Sequence, residues 1–188
     1  MSTFEPAIHS VHFYETDEAL IHRLSAIVCS GFLNGNSVLL VATHDHRTQL
    51  VNALDILGVD GRKYEKEHLL TMCDAEELLS KFMVKDLPDP QLSFYCVGKR
   101  LMDAREAARG KTQGLIVFGE MVSVLWQQGN IGGALALERL WNDVITERVF
   151  HLHCAYPSSL FSEDEPGILN VCESHSHIIG RLTPAVAS

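Results

Sequence analysis

Neither a GxxxxGKS/T nor a GxGxxG segment occurs in the 188 residues. Those glycine-rich loops let backbone N–H groups cradle phosphates at a helix start, so their absence argues against ATP hydrolysis and dinucleotide binding. The loop after the first expected strand reads Tyr14-Glu15-Thr16-Asp17-Glu18, with no glycine and no lysine. Its three carboxylates would repel phosphate. No GxSxG elbow is present, which removes support for a Ser-His-Asp hydrolase. There is no long basic run and the net charge is −9, whereas non-specific nucleic-acid binding needs a cationic surface. A direct nucleic-acid partner is therefore not expected. No apolar run approaches the ~20 residues of a membrane span, and the start of the chain carries Glu5 and no apolar signal core. The five cysteines form no CxxC and are odd in number, which reads as reduced thiols in a cytoplasmic protein.

The apolar fraction of 46% supports a packed globule, and the length fits one domain. Residues 114–126 (GLIVFGEMVSVLW) form a central apolar run that ends on Gly119-Glu120 and turns into a helical pattern. Ile8–Tyr14 alternates like a strand, and Thr16 or Asp17 can cap the helix after it. Ser37–Thr43 is an aliphatic run of the kind buried on both faces of a parallel sheet, and Asp45 suits the cap of the helix that follows. Val59–His68 reads as a charged loop. His68–Cys73 is a short third strand, and Asp74 with Glu77 forms a capping-box-like start. Asp89 and Pro90 open a helix reaching about Arg109. Strand Val149–Ala155 is followed by a last helix, opened by Pro166, with Ile168, Cys172, His175 and Ile179 along one side. The expected fold is a single α/β domain, 8–180, with a mostly parallel sheet of about five strands flanked by helices. Residues 1–7 and 181–188 are expected to be flexible termini.

In such a sheet, ligands sit at the carboxyl ends of the strands. Those ends offer His12 and Tyr14, then His44, Asp45 and His46, then Cys73 and Asp74, then Glu120, then Cys154 and Tyr156. Imidazole, thiolate and carboxylate are the donors zinc and iron take, but Asp45 and Asp74 equally suit helix caps and Glu120 suits a first helical turn. No metal ligand, cofactor or catalytic residue is assigned. His151 and His153 share a strand face, and one is expected to be a satisfied structural histidine. His175 falls on an apolar helix stripe and reads as a core or interface residue.

Several blocks carry a family likeness. His12-Phe13-Tyr14-Glu15, the turn and strand 34–43 (NGNSVLLVAT), Pro88-Asp89-Pro90, Phe118-Gly119-Glu120-Met121-Val122 with Leu125-Trp126, Leu140-Trp141-Asn142, and Cys154-Ala155-Tyr156-Pro157 together resemble the MEDS domain. This sensory domain is named after methanogen and methylotroph regulators, including the dichloromethane-responsive repressor. The resemblance implies a degenerate RecA/KaiC-like fold without a P-loop. It also implies an input module that senses small hydrocarbon-like compounds and acts on a signalling output protein or domain. No output domain is recognised within the chain.

The leading expectation is thus a non-catalytic, small-molecule-sensing regulatory module. Its expected ligand site is a cleft lined by His12, Tyr14, His44, Phe118, Glu120, Trp126, Cys154 and Tyr156, since small-molecule sites combine apolar walls with a few convergent polar groups. The competing readings are a metal-binding enzyme using His, Cys and Glu at the strand ends, and an interaction module forming a homodimer without a ligand.

Overall fold

The computed structural model describes residues 8–107, 114–147, 150–161 and 166–180. In chain order the strands are β1 (His9–Tyr14), β2 (Asn36–Ala42), β3 (Leu70–Asp74), β4 (Met83–Val84), β5 (Leu87–Pro88), β6 (Gly114–Gly119), β7 (His151–Pro157) and β8 (His177–Ile179). The helices are α1 (Asp17–Leu33), α2 (His44–Ile56), α3 (Gly61–Lys66), α4 (Ala75–Ser80), α5 (Pro90–Ala107), α6 (Met121–Gln127), α7 (Ile131–Glu147) and α8 (Pro166–Glu173). Strands β4 and β5 form a small antiparallel hairpin, and the other six strands form one parallel sheet ordered β3-β2-β6-β7-β1-β8. No helix among the described residues is long and apolar enough to cross a membrane.

Each face of the sheet builds its own core. Leu39 and Val41 of β2, Val117 of β6, Leu152 and Tyr156 of β7, and Val11 and Phe13 of β1 lie beneath α4 to α8. Val38 and Leu40, Phe118, Ala155 and Tyr14 lie beneath α1, α2 and α3. The continuous aliphatic run of β2 follows from this, because both of its faces are dry. Chain direction divides in the same way. β2 leaves into α2 on one face and its neighbour β6 leaves into α6 on the other, so a topological switch point opens at their carboxyl ends.

The expected caps hold at Thr16, whose side chain accepts from the Ala19 N–H, at Asp74, which accepts from Glu77, and at Asp89, which accepts from Leu92. At α2 the cap is Thr43 rather than Asp45, which stands in the first turn. Two further expectations are corrected. Residues 61–66 are helix α3 rather than loop, started by the Asp60 cap and held by Tyr64 stacking on Phe32 at 3.9 Å. The main sheet, with six strands, fits the expected mostly parallel sheet of about five. The last helix stops at Glu173, and His177–Ile179 pairs with β1 instead of continuing the helical stripe. There Ser176 donates its backbone N–H to the His9 carbonyl at 2.8 Å, giving the chain an edge to zip onto. The strand expected from Val149 begins at His151, and Val149 lies outside the described residues, as do 108 and 109 at the foretold end of α5.

Candidate functional site

The sheet divides the expected cleft. In parallel register Val11 lies beside Cys154 and Phe13 beside Tyr156, so these four share a face and Tyr14 turns to the other. Tyr14, Phe118 and Glu120 therefore stand on the α1–α2 side, with half-buried His12 nearby. Trp126, Cys154 and Tyr156 stand on the α6–α7 side, where the Trp126 and Tyr156 rings meet edge to face at 5.8 Å. His44 is exposed on the first turn of α2.

At the switch point, Glu120 is 1% exposed. Its carboxylate accepts from the Thr43 N–H at 2.9 Å and from His46 Nδ1 at 2.5 Å, while its own N–H donates to the Val41 carbonyl. Glu120 thus binds β6 to the end of β2. Asp17 lies 3.4 Å from the far nitrogen of His46. Burial opposes charge on His46, but the hydrogen bond and charge of Glu120, with help from Asp17, raise its pKa above the ordinary value. Burial first, and then the charges of Glu120 and Asp17, push the Tyr14 phenol up. Glu120 and His46 are the buried centre of this set, and exposed Asp17 stands at its rim.

A second cluster lies across the sheet. His9 of β1, Glu138 of α7, Cys154 of β7 and His175, just after α8, bring one donor atom each within 4.8 Å of one another, and all four residues are buried. Tyr156 donates its hydroxyl to Glu138 Oε1 at 2.8 Å. His9 Nδ1 lies 2.8 Å from Asn142 Oδ1, and His175 Nδ1 lies 2.6 Å from the Val171 carbonyl. Burial pushes the Glu138 carboxyl up to about 8, the hydrogen bonds from Tyr156 and Cys154 notwithstanding. Burial also takes His175 down to about 3 and lowers His9, and it raises the Cys154 thiol. Cys154 and Tyr156 belong to the expected site, whereas His9 and Glu138 do not. The usable signal was Glu138 itself: Ala134, Glu138, Trp141 and Ile145 form one buried stripe of α7, on which an acid stands at an apolar position.

A third feature is a partly open cavity of about 180 Å³ between α5 and α7, walled by Val97, Leu137, Leu140 and Val144 and also lined by Ser93, Trp141, exposed Phe94 and Asp143. Ser93 is 5% and Trp141 2% exposed. The Ser93 hydroxyl and the Trp141 indole N–H are both buried without a hydrogen-bond partner. Val97 of α5 and Trp141 of α7 are both buried, and their spacing in the sequence gives no sign of a void. A wider groove of about 1000 Å³ lies between α1, α2 and α3, with Leu33, Ile56 and Leu57 exposed around it. His153, on the α1 face of β7, bonds the Ser10 hydroxyl at 2.6 Å and is the satisfied structural histidine of its strand, while His151 Nδ1 is unpartnered.

Compared with known proteins, residues 8–176 match the family model described as MEDS, the methanogen/methylotroph, DcmR sensory domain. No curated protein matches the chain.

Proposed function

The chain belongs to the MEDS family of sensory domains, and from that premise we propose that it senses a small, mostly apolar organic molecule in the cavity between α5 and α7. One observation carries the reading: two buried polar groups without partners, Ser93 Oγ and Trp141 Nε1, belong to residues that line one apolar cavity. A buried donor without an acceptor costs about 1–3 kcal/mol, so a guest that accepts from the indole and exchanges a hydrogen bond with the hydroxyl recovers that cost on binding. The volume of about 180 Å³ suits a guest of benzene size or smaller, since a dry apolar cavity of ~150 Å³ holds benzene. Apolar walls with one or two polar anchors favour short alcohols, alkyl halides and phenols over sugars or nucleotides.

Occupancy acts on signalling through α7. That helix carries Leu137 and Trp141 into the cavity and Glu138 into the buried cluster behind it. A guest that favours one position of α7 over another shifts the domain between two states, and an output protein or domain reads the shift. The expected site residues Trp126, Cys154 and Tyr156 then serve as the wall that α7 moves against, and Glu120 as the tie that keeps the sheet fixed.

The test is a binding screen of short alcohols, alkyl halides and phenols, followed by melting temperature and tryptophan fluorescence. A guest at 100 times its Kd stabilises the fold by about 2.7 kcal/mol, or roughly 5–11 °C in a domain of this size. Ser93→Leu fills the cavity and should abolish the shift. A guest that binds Ser93→Leu as tightly as wild type would place the site elsewhere.

A further inference from the structure

We propose that His9, Glu138, Cys154 and His175 form a closed, four-ligand site for a divalent transition-metal ion of the zinc type, independent of the organic guest. Hydrogen bonding fixes which atoms face the centre. Asn142 donates its amide N–H to the Ser174 carbonyl at 3.1 Å, so the Asn142 oxygen faces His9 and must accept from Nδ1–H. The Val171 carbonyl can only accept, so His175 Nδ1 also carries its proton. Each imidazole therefore turns a bare Nε2 lone pair inward. This is the arrangement of metal-binding histidines, whose outer nitrogen donates to a carbonyl and whose inner nitrogen ligates.

The two imidazole–carboxylate separations match an ion better than a proton. His9 Nε2 and His175 Nε2 each lie 3.5 Å from Glu138 Oε2. His9 Nε2 lies 3.4 Å from Cys154 Sγ, which lies 3.9 Å from Glu138 Oε2. An O–H···N hydrogen bond would close to about 2.6–3.0 Å, and His175 Nε2 is buried with no hydrogen-bond partner. A tetrahedral ion with bonds of about 2.0–2.1 Å to N and O and about 2.3 Å to S sets ligand edges of roughly 3.3–3.6 Å. Charge also balances: two neutral imidazoles, a thiolate and a carboxylate sum to −2, which one divalent cation neutralises in a site too dry to hold net charge. Binding releases the thiol proton, and the Glu138 proton where present. With four protein ligands no position is left open for substrate, so the ion is structural rather than catalytic. Its ligands come from β1, α7, β7 and the turn after α8, and it therefore clamps the last strand to the first.

The deciding experiment refolds the full chain from urea with cobalt(II), so that burial of the site does not limit access. Expected are one cobalt per chain, the intense visible bands of a tetrahedral centre, a near-ultraviolet thiolate-to-cobalt band, and displacement of cobalt by zinc. Cys154→Ser should remove the thiolate band. Asn142→Ala, which frees the His9 ring while leaving all four ligands, should weaken zinc affinity about 10- to 100-fold. His22→Ala, on the exposed face of α1, should change nothing. Refolded wild type without the tetrahedral and thiolate bands overturns the proposal, whatever the variants do. So does a thiolate band that persists in Cys154→Ser.

Discussion

Replacing Glu120 with Gln tests the switch point with little change of shape. Glu120 accepts two hydrogen bonds on two oxygens, from the Thr43 N–H at 2.9 Å and from His46 Nδ1 at 2.5 Å. Gln offers one carbonyl oxygen and turns an NH₂ group towards the other donor, so one buried N–H loses its acceptor. That costs about 1–3 kcal/mol. The pH dependence follows from His46. Burial resists its protonation, yet Glu120 and Asp17 raise its folded pKa above the ordinary 6.5. A raised folded pKa means that the native state binds the proton more tightly than the unfolded chain. The resulting stabilisation is complete below about pH 6.5 and is lost as pH rises through the folded value. Glu120→Gln removes the main partner, so its cost should be larger near pH 6 than near pH 9. Urea unfolding at both pH values measures the cost, and NMR titration of the His46 ring measures the pKa. An unchanged His46 titration in the variant, or an equal cost at the two pH values, would refute the reasoning.

Two further perturbations act on other contacts. Tyr156→Phe deletes the hydroxyl that Glu138 Oε1 accepts at 2.8 Å and should cost metal-free protein about 1–3 kcal/mol in urea unfolding; a loss below about 0.5 kcal/mol would show that this bond is not made in solution. Asn130→Ala removes the side chain that accepts from the Gly133 N–H at the start of α7 and donates to the Asp86 carbonyl at 2.7 Å. It should cost about 1 kcal/mol as a lost cap and quicken proteolysis at the β4–β5 hairpin, while proteolysis unchanged from wild type would separate hairpin from helix.

The strands were legible because their signal is local. A run such as residues 37–43 has no solvent-facing side, and that alone marks a strand buried on both faces. Helix α3 escaped because Gly61–Lys66 carries no apolar stripe; it forms where Tyr64 finds Phe32, a contact only the tertiary fold supplies. Strand β8 escaped because His177–Ile179 is three residues long and its partner is β1, at the far end of the sequence. The candidate site residues follow from strand ends, which gave Glu120, Tyr14, Cys154 and Tyr156 their places at the sheet's carboxyl edge. Register decides which face each one takes, and register is not written in any single strand. Glu138, His9 and His175 come from three elements whose meeting depends on how α7 and the last turn settle on the sheet.

The position of β1 bears on how the protein is made. This first strand lies between β7 and β8, and the first of those partners is distant: Ser10 and Leu152 are 142 residues apart. A ribosome adding about 5–20 residues per second leaves β1 without a neighbour for roughly 7–30 s. During that interval a strand carrying Val11, Phe13 and Tyr14, with two open edges, is a template for pairing with other nascent chains. Expression yield should therefore respond to translation speed and to chaperone supply more strongly than equilibrium stability would suggest. A circular permutant opened between β1 and α1 would place the codons for β1 after those for β8 and shorten that exposure.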